Sequence, residues 1–275
     1  MTVEQEIEET QDPAVSTLAH FGREVRLERE QHGMSKADLG REVHCHPTLV
    51  GKIETAQRVP TLDFAEACDR VFNTGGRLAR LWPLVIRHAY PKWFRAYVEL
   101  EAVAKAIGFF QIQVVPGLLQ TEDYARAVLA SGRLDNPEDV LTARMERQRI
   151  LTRDDPPQVW AILEESVLHR TVGGRKVMGG QLQHLLTACE HPRTVIQIIP
   201  ASITTHAAMG GSFAALAFDE GSDIVYIDGF PEGHVTAEPR HVETVARAYD
   251  LLRATALSPE ASVDLMTAIA KGVYS

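Results

Sequence analysis

His44, Cys45 and His46 stand side by side, and imidazole and thiolate are both zinc ligands. Three adjacent residues cannot readily converge on one tetrahedral ion, and no second ligand pair lies nearby in the sequence, so no metal is expected. Two glycine pairs, Gly173-Gly174 and Gly179-Gly180, invite a phosphate-loop reading, but the Lys-Ser/Thr that such a loop carries after its second glycine is absent. Ser212 follows two glycines, yet a nucleophile elbow needs a glycine two residues after its serine, where Ala214 stands. Glu164-Glu165 and Asp228 read as solvated acids at strand ends rather than as an acid–base pair. These groups predict no enzyme, no cofactor and no metal. The functional alternative is that the polar loop 201–211 lines a pocket at a strand end.

The chemistry that remains is that of cations placed to meet phosphate. A formal net charge of -9 argues against a nucleic-acid partner until its distribution is considered. Residues 1–12 carry five acids and no base, whereas residues 13–90 carry eleven Lys/Arg against nine Asp/Glu. A local field near one helix, not the global charge, attracts DNA. Within 13–90 the stretch from Ser35 to Glu54 has the layout of two short helices crossing over a tight turn. Gly40 is the small residue such a crossing needs. Leu39 and Val43 before the turn, and Val50 and Ile53 after it, are spaced to face inward. Thr48, Gly51 and Lys52 then face outward, with Leu49 beside them. The N-terminal part of a helix so placed enters the major groove and reaches base edges.

The elements that must position this stretch are legible from caps and periodicity. Residues 1–12 read as a disordered acidic tail punctuated by Pro13. Apolar residues at helical spacing predict a helix over 18–31, stopped at His32-Gly33. Ser35-Lys36-Ala37-Asp38 is a capping box that opens a second helix running to about Val43. His46 caps a third, with Pro47 at its first position, where a missing N–H costs nothing. A fourth follows Pro60 and a fifth covers 76–89. Five short helices with short connections predict an all-α domain over 13–90.

After Pro91 the pattern becomes mixed. Helices are predicted over 92–105, 121–130, 137–151, 181–189, 241–252 and 259–271. Extended runs are predicted over 109–115, 159–163, 195–199, 213–218 and 224–227. The fold class is therefore α+β overall: an all-α five-helix domain followed by a mixed α/β domain over 91–275, with an apolar sheet shielded by helices.

The stretch ending Val-Gly-Lys-Ile-Glu-Thr-Ala-Gln-Arg-Val-Pro60 resembles the close of the recognition helix in the XRE (phage-repressor and Cro-like) helix-turn-helix family, and the resemblance covers residues 18–72. It implies that Lys36 contacts phosphate, that Thr48, Lys52 and Pro47 face bases, and that Arg58 touches the DNA backbone. With His46, Leu49 and Gly51 these make up the expected DNA-binding set. His44 and Ala56 depart from the family, which has glycine at both positions. Residues 47–54 hold no Arg, Asn or Gln, the strong bidentate base readers, so modest intrinsic specificity with added shape readout is expected.

Several spaced segments of the second region resemble another grouping. Val115-Pro-Gly-Leu-Leu-Gln-Thr121, Val177-Met178 with Gln181-Leu182, Val195 to Pro200, Gly210-Gly-Ser-Phe213 and Ile224 to Ile227 are similar to the antitoxin-like C-terminal effector domain of actinobacterial XRE-type regulators related to WhiJ. That resemblance implies a companion small protein. His206 followed by Gly211-Ser212 resembles half of a phospholipase-D-like motif, but Ala208 stands where that motif has its lysine. The expected function is a sequence-specific, DNA-binding transcriptional regulator whose second domain forms a homodimer and binds a small-molecule effector or small partner protein. The alternative is an antitoxin-type protein that sequesters a small partner and binds double-stranded DNA for autoregulation. Three scattered cysteines, an N-terminus unlike a secretory signal and the lack of any long apolar run predict a cytoplasmic protein with no membrane partner.

Overall fold

Ser16 accepts the backbone N–H of Ala19 and starts α1, Thr17–Gln31. The computed structural model describes residues 16–132, 134 and 136–274, so the tail expected over 1–12 lies outside them. The capping box is present in both directions. Asp38 N–H donates to Ser35 Oγ (3.1 Å) and Ser35 N–H to Asp38 Oδ2 (2.9 Å), which starts α2, Lys36–Glu42. His46 caps α3, Pro47–Glu54, and Thr61 caps α4, Leu62–Phe72. α5, Arg77–Ile86, and a 3-10 turn, Arg87–Ala89, follow. Gly76 has no side chain to cap α5. Buried Asp69 does it instead, accepting from the N–H groups of Leu78 (2.9 Å) and Ala79 (2.8 Å). Phe21, Val25, Leu39, Val50, Ile53, Phe64 and Leu78 fill the core among these helices.

Beyond Pro91 come α6 (Lys92–Glu101), β1 (Ala106–Gln111), α7 (Glu122–Ser131), α8 (Pro137–Arg147) and β2 (Gln158–Glu164). Then follow α9 (Glu165–His169), α10 (Arg175–Ala188), β3 (Thr194–Ile199), β4 (Phe213–Ala217), β5 (Ile224–Ile227), β6 (His234–Thr236), α11 (Pro239–Thr255) and α12 (Pro259–Val273). The chain divides into two compact units. One runs up to Pro91 and includes Glu138–Glu146 of α8; the other takes Lys92–Pro137 and everything from Arg147. The fold is α+β, as the sequence predicts.

The second unit is built on one sheet of order β3-β2-β1-β4-β5-β6. β1, β2 and β3 are parallel, with Ile107 opposite Val159 and Ala161 opposite Ile196; β4, β5 and β6 run antiparallel. Both faces are covered. Ile107, Phe109, Val159, Leu163, Ile196 and Ile198 pack with Tyr124, Met178, Leu182 and Met266 from the helices on one side. Phe110, Ile162, Phe213 and Val225 pack with Tyr249 and Leu252 of α11 on the other. A sheet buried on both faces explains why its parallel strands read as continuous apolar runs rather than as alternation.

Some boundaries differ from those predicted, for physical reasons. The strand expected over 109–115 lies over Ala106–Gln111. Past Gln111 the backbone donors find side chains rather than a neighbouring strand: Ile112 N–H donates to Ser212 Oγ (3.2 Å) and Val115 N–H to Tyr124 Oη (3.3 Å). α10 begins at Arg175, six residues before Gln181, because Gly174 turns the chain at positive φ and the helix then runs through Gly179-Gly180. Strand β6 and helix α9, at three and five residues, are too short to show a period. No helix among the described residues is long and apolar enough to cross a membrane.

Candidate nucleic-acid interface

The crossing of α2 and α3 depends on Gly40. A Cβ built there would lie 2.6 Å from the Cys45 carbonyl oxygen, which only a glycine avoids. Leu39, Val43, Val50 and Ile53 are all buried, as their spacing predicts. Cys45 is half-buried against the same core and acts as a turn hydrophobe. The two departures from glycine keep the glycine conformation: His44 has φ 53° and Ala56 has φ 56°, both left-handed. The turn before the recognition helix and the turn after it are thus retained at the expense of local strain.

His46 and Pro47 start α3. His46 Nδ1 accepts the Thr48 N–H at 3.2 Å, and Pro47 occupies the first helical position. His46, Thr48 and Lys52 are exposed, while Pro47, Leu49 and Gly51 are half-exposed. Leu49 packs partly onto the core, so its side chain is shared between the interior and the outer surface. Thr48, Gly51 and Lys52 are related by steps of three and four residues and share one helical face. Lys36 lies across that face from α2. Its Nζ is 3.5 Å, and its Cδ 3.7 Å, from where a Gly51 Cβ would sit. A lysine ammonium therefore reaches the surface that Thr48 and Lys52 present, and its side chain is 49% exposed.

What holds α3 in place is a buried ion pair that the sequence does not advertise. Arg29 of α1 donates through Nε to Glu54 Oε1 (2.5 Å) and through Nη2 to Glu54 Oε2 (3.1 Å). Its third nitrogen, Nη1, donates to the Met34 carbonyl at 2.8 Å. The hydrogen bond with Glu54 raises the Arg29 guanidinium above its ordinary range. Lys36 Nζ is 3.9 Å from Glu54 Oε2, so the same carboxylate also draws the phosphate-contact candidate towards the helix.

Arg58, expected on the DNA backbone, has partners within the first unit. Its side chain is only 22% exposed and lies against α8, with Nη1 3.3 Å from Asp139 Oδ1 and Nη2 3.4 Å from Glu138 Oε2. Asp139 Oδ1 also accepts the N–H of Val59 at 3.0 Å. The guanidinium expected on the DNA backbone is thus engaged by two carboxylates eighty residues away in sequence. A local motif reading cannot see such a partner.

The other residues weighed for chemistry each have their own place. Ser212 is buried and accepts the Ile112 N–H; His206 bonds Glu164, not Ser212. Glu164 and Glu165, expected as solvated acids, are both partnered and partly covered: Glu164 Oε1 faces His206 Nε2 at 2.8 Å, and Glu165 accepts the Ala201 N–H at 2.8 Å. The loop 201–211 folds back over the end of β2 and supplies these partners. Asp228 Oδ2 accepts from Gln111 Nε2 at 3.0 Å, and burial raises its carboxyl above the usual range. Among the described residues no group of three or more His, Cys, Asp or Glu could hold a metal ion, and Cys45, Cys68 and Cys189 are free thiols.

Two family models match the chain. One, described as a helix-turn-helix domain, covers residues 20–82. The other, described as a domain of unknown function (DUF5753), covers residues 94–268, more than half of the chain. No curated protein and no solved structure matches it.

Proposed function

The chain belongs to the DUF5753 family and carries a helix-turn-helix domain ahead of the matched region, and from this premise we propose that it is a sequence-specific transcriptional regulator of the XRE type, acting by binding rather than by catalysis. The observation that carries the reading is the meeting of Lys36 with the Thr48–Gly51–Lys52 face. One ammonium stands where a phosphate passes beside the groove, and a second stands on the helix that enters it. Both belong to a helix pair whose turns keep left-handed backbone without glycine.

This face is sparse: Thr48 and Lys52 offer few donors, and neither forms the two-pronged contacts that discriminate bases strongly. A single head would bind weakly. Two heads on adjacent half-sites, one helical turn apart, add their contacts at high effective concentration. We therefore assign homodimerisation to the region after Pro91. Its resemblance to WhiJ-related effector domains supports a further role in binding an effector or small partner protein that alters the spacing of the heads.

The test uses the full-length protein and a pool of random-sequence duplexes at about 0.15 M salt, where weak non-specific retention is suppressed. Sequencing of the retained fragments should return a recurrent pair of half-sites with centres about 10 bp, or a multiple of it, apart. A retained pool with the composition of the input would overturn the reading.

A further inference from the structure

Open sheets with parallel strands hold ligands outside the carboxyl ends of those strands, where the departing loops frame a crevice. Here the ends of β2 and β3 open into a cavity of about 280 Å³, framed on its outer side by the loop after Pro200. His206 organises it. Its side chain is only 2% exposed. Nδ1 accepts the Ala208 N–H at 3.2 Å, and Nε2 faces Glu164 Oε1 at 2.8 Å. The ring meets Phe110 edge to face, with centroids 5.2 Å apart.

The bonded imidazole orients the Glu164 carboxylate at the mouth of the cavity. The other oxygen of Glu164 accepts from Ser166 Oγ at 3.2 Å, and the side chain remains 30% exposed towards the cavity. Glu165 lines the same space. Its bond from the Ala201 N–H is the main reason its carboxyl stays below the usual range, with His169 at 3.2 Å adding to it. Two fixed carboxylates therefore line the cavity, and no Lys or Arg is among its lining residues.

The rim has the opposite character. Ile203 is 37% and Met209 60% exposed, two large apolar side chains held in water beside the carboxylates. Exposed apolar surface next to a concave polar site marks ligand binding, and methionine adapts its shape to what it covers. The volume lies just below the roughly 300–1,000 Å³ of ordinary ligand pockets, so the occupant is small. The two carboxylates disfavour an anion, and the apolar rim favours a ligand with a hydrocarbon body.

We propose that this cavity is a binding site for a small organic amine, with its ammonium against Glu164 and Glu165 and its apolar body between Ile203 and Met209. The proposal deepens the reading of the second unit as the effector-binding part, on which its regulatory meaning rests. Amine binding itself does not require DNA.

The test titrates the full-length protein with n-hexylamine, n-hexanol and hexanoate, which share a chain and differ in head group. Saturation-transfer NMR and the thermal midpoint are the readouts. Hexylamine should bind saturably, and hexanol and hexanoate roughly tenfold or more weakly, the usual worth of a charge-assisted hydrogen bond. Glu164→Gln should lower hexylamine affinity by a similar factor, roughly tenfold. Met209→Ala, at an exposed site that the fold does not need, should also weaken it. Equal binding of hexanoate overturns the proposal, as does unchanged hexylamine binding in Met209→Ala and in a natively folded Glu164→Gln. Failure of DNA selection with hexylamine binding intact would strike the regulator reading and leave the cavity assignment standing.

Discussion

Arg29 and Glu54 form a two-pronged buried ion pair that ties the last residue of the recognition helix to helix α1. A buried pair of this kind is costly to break from one side, because the remaining charge loses its partner in a dry site. Arg29→Met should destabilise the protein by about 3–5 kcal/mol in urea unfolding. Replacing both, Arg29→Met with Glu54→Leu, should cost less than Arg29→Met alone, since no charge is then stranded. A double variant at least as unstable as the single one would show that the pair contributes mainly through packing.

Lys36, Lys52 and Arg58 should separate in DNA-binding assays. Lys36→Ala should weaken binding to every sequence and lower the salt slope by about one unit. Lys52→Ala should cost roughly 1–3 kcal/mol and flatten preference at one operator position. Arg58→Ala should change the salt slope less than Lys36→Ala does, because its guanidinium is held by Glu138 and Asp139, and its effect should appear in stability instead. Salt titrations by fluorescence anisotropy decide between these outcomes. An Arg58→Ala slope change equal to that of Lys36→Ala would place Arg58 on phosphate.

The left-handed residues His44 and Ala56 carry strain that glycine would relieve. His44→Gly and Ala56→Gly should each stabilise the fold by about 1 kcal/mol, the left-handed penalty less the extra entropy of an unfolded glycine. Their effects should add within about 0.5 kcal/mol, as expected of sites at opposite ends of the recognition helix. Equilibrium unfolding measures both, and a loss of stability at either position would mean that the native side chain makes a contact worth more than the strain.

Gly51 is the opposite case, a glycine inside a helix without a conformational need. Its added methyl would meet the Lys36 stem at ordinary contact distance. Gly51→Ala should therefore raise stability by about 0.5–1 kcal/mol through helix propensity. It should also alter DNA affinity, since the methyl lies on the reading face. A stabilised variant with unchanged affinity would move the DNA contact away from Gly51.

Much of this molecule was legible because its local signals act over three or four residues. The Ser35–Asp38 box, the His46-Pro47 start and the inward spacing of Val50 and Ile53 all satisfy backbone or core within one helical turn, and each stands where its residues predict. The fold class followed from the same signals, since helices and apolar strands announce themselves by period. Partners far apart in the chain carry no such mark. Arg58 and Asp139 are separated by 81 residues, His206 and Glu164 by 42, and Arg29 and Glu54 by 25. Each meeting depends on how several elements pack, not on the residues beside it. The same holds for strand β6, for the parallel order β3-β2-β1 and for the cavity at its carboxyl end. Local sequence decided which segments coil and which extend; the burial of two sheet faces and the pairing of distant charges decided where the candidate site residues point.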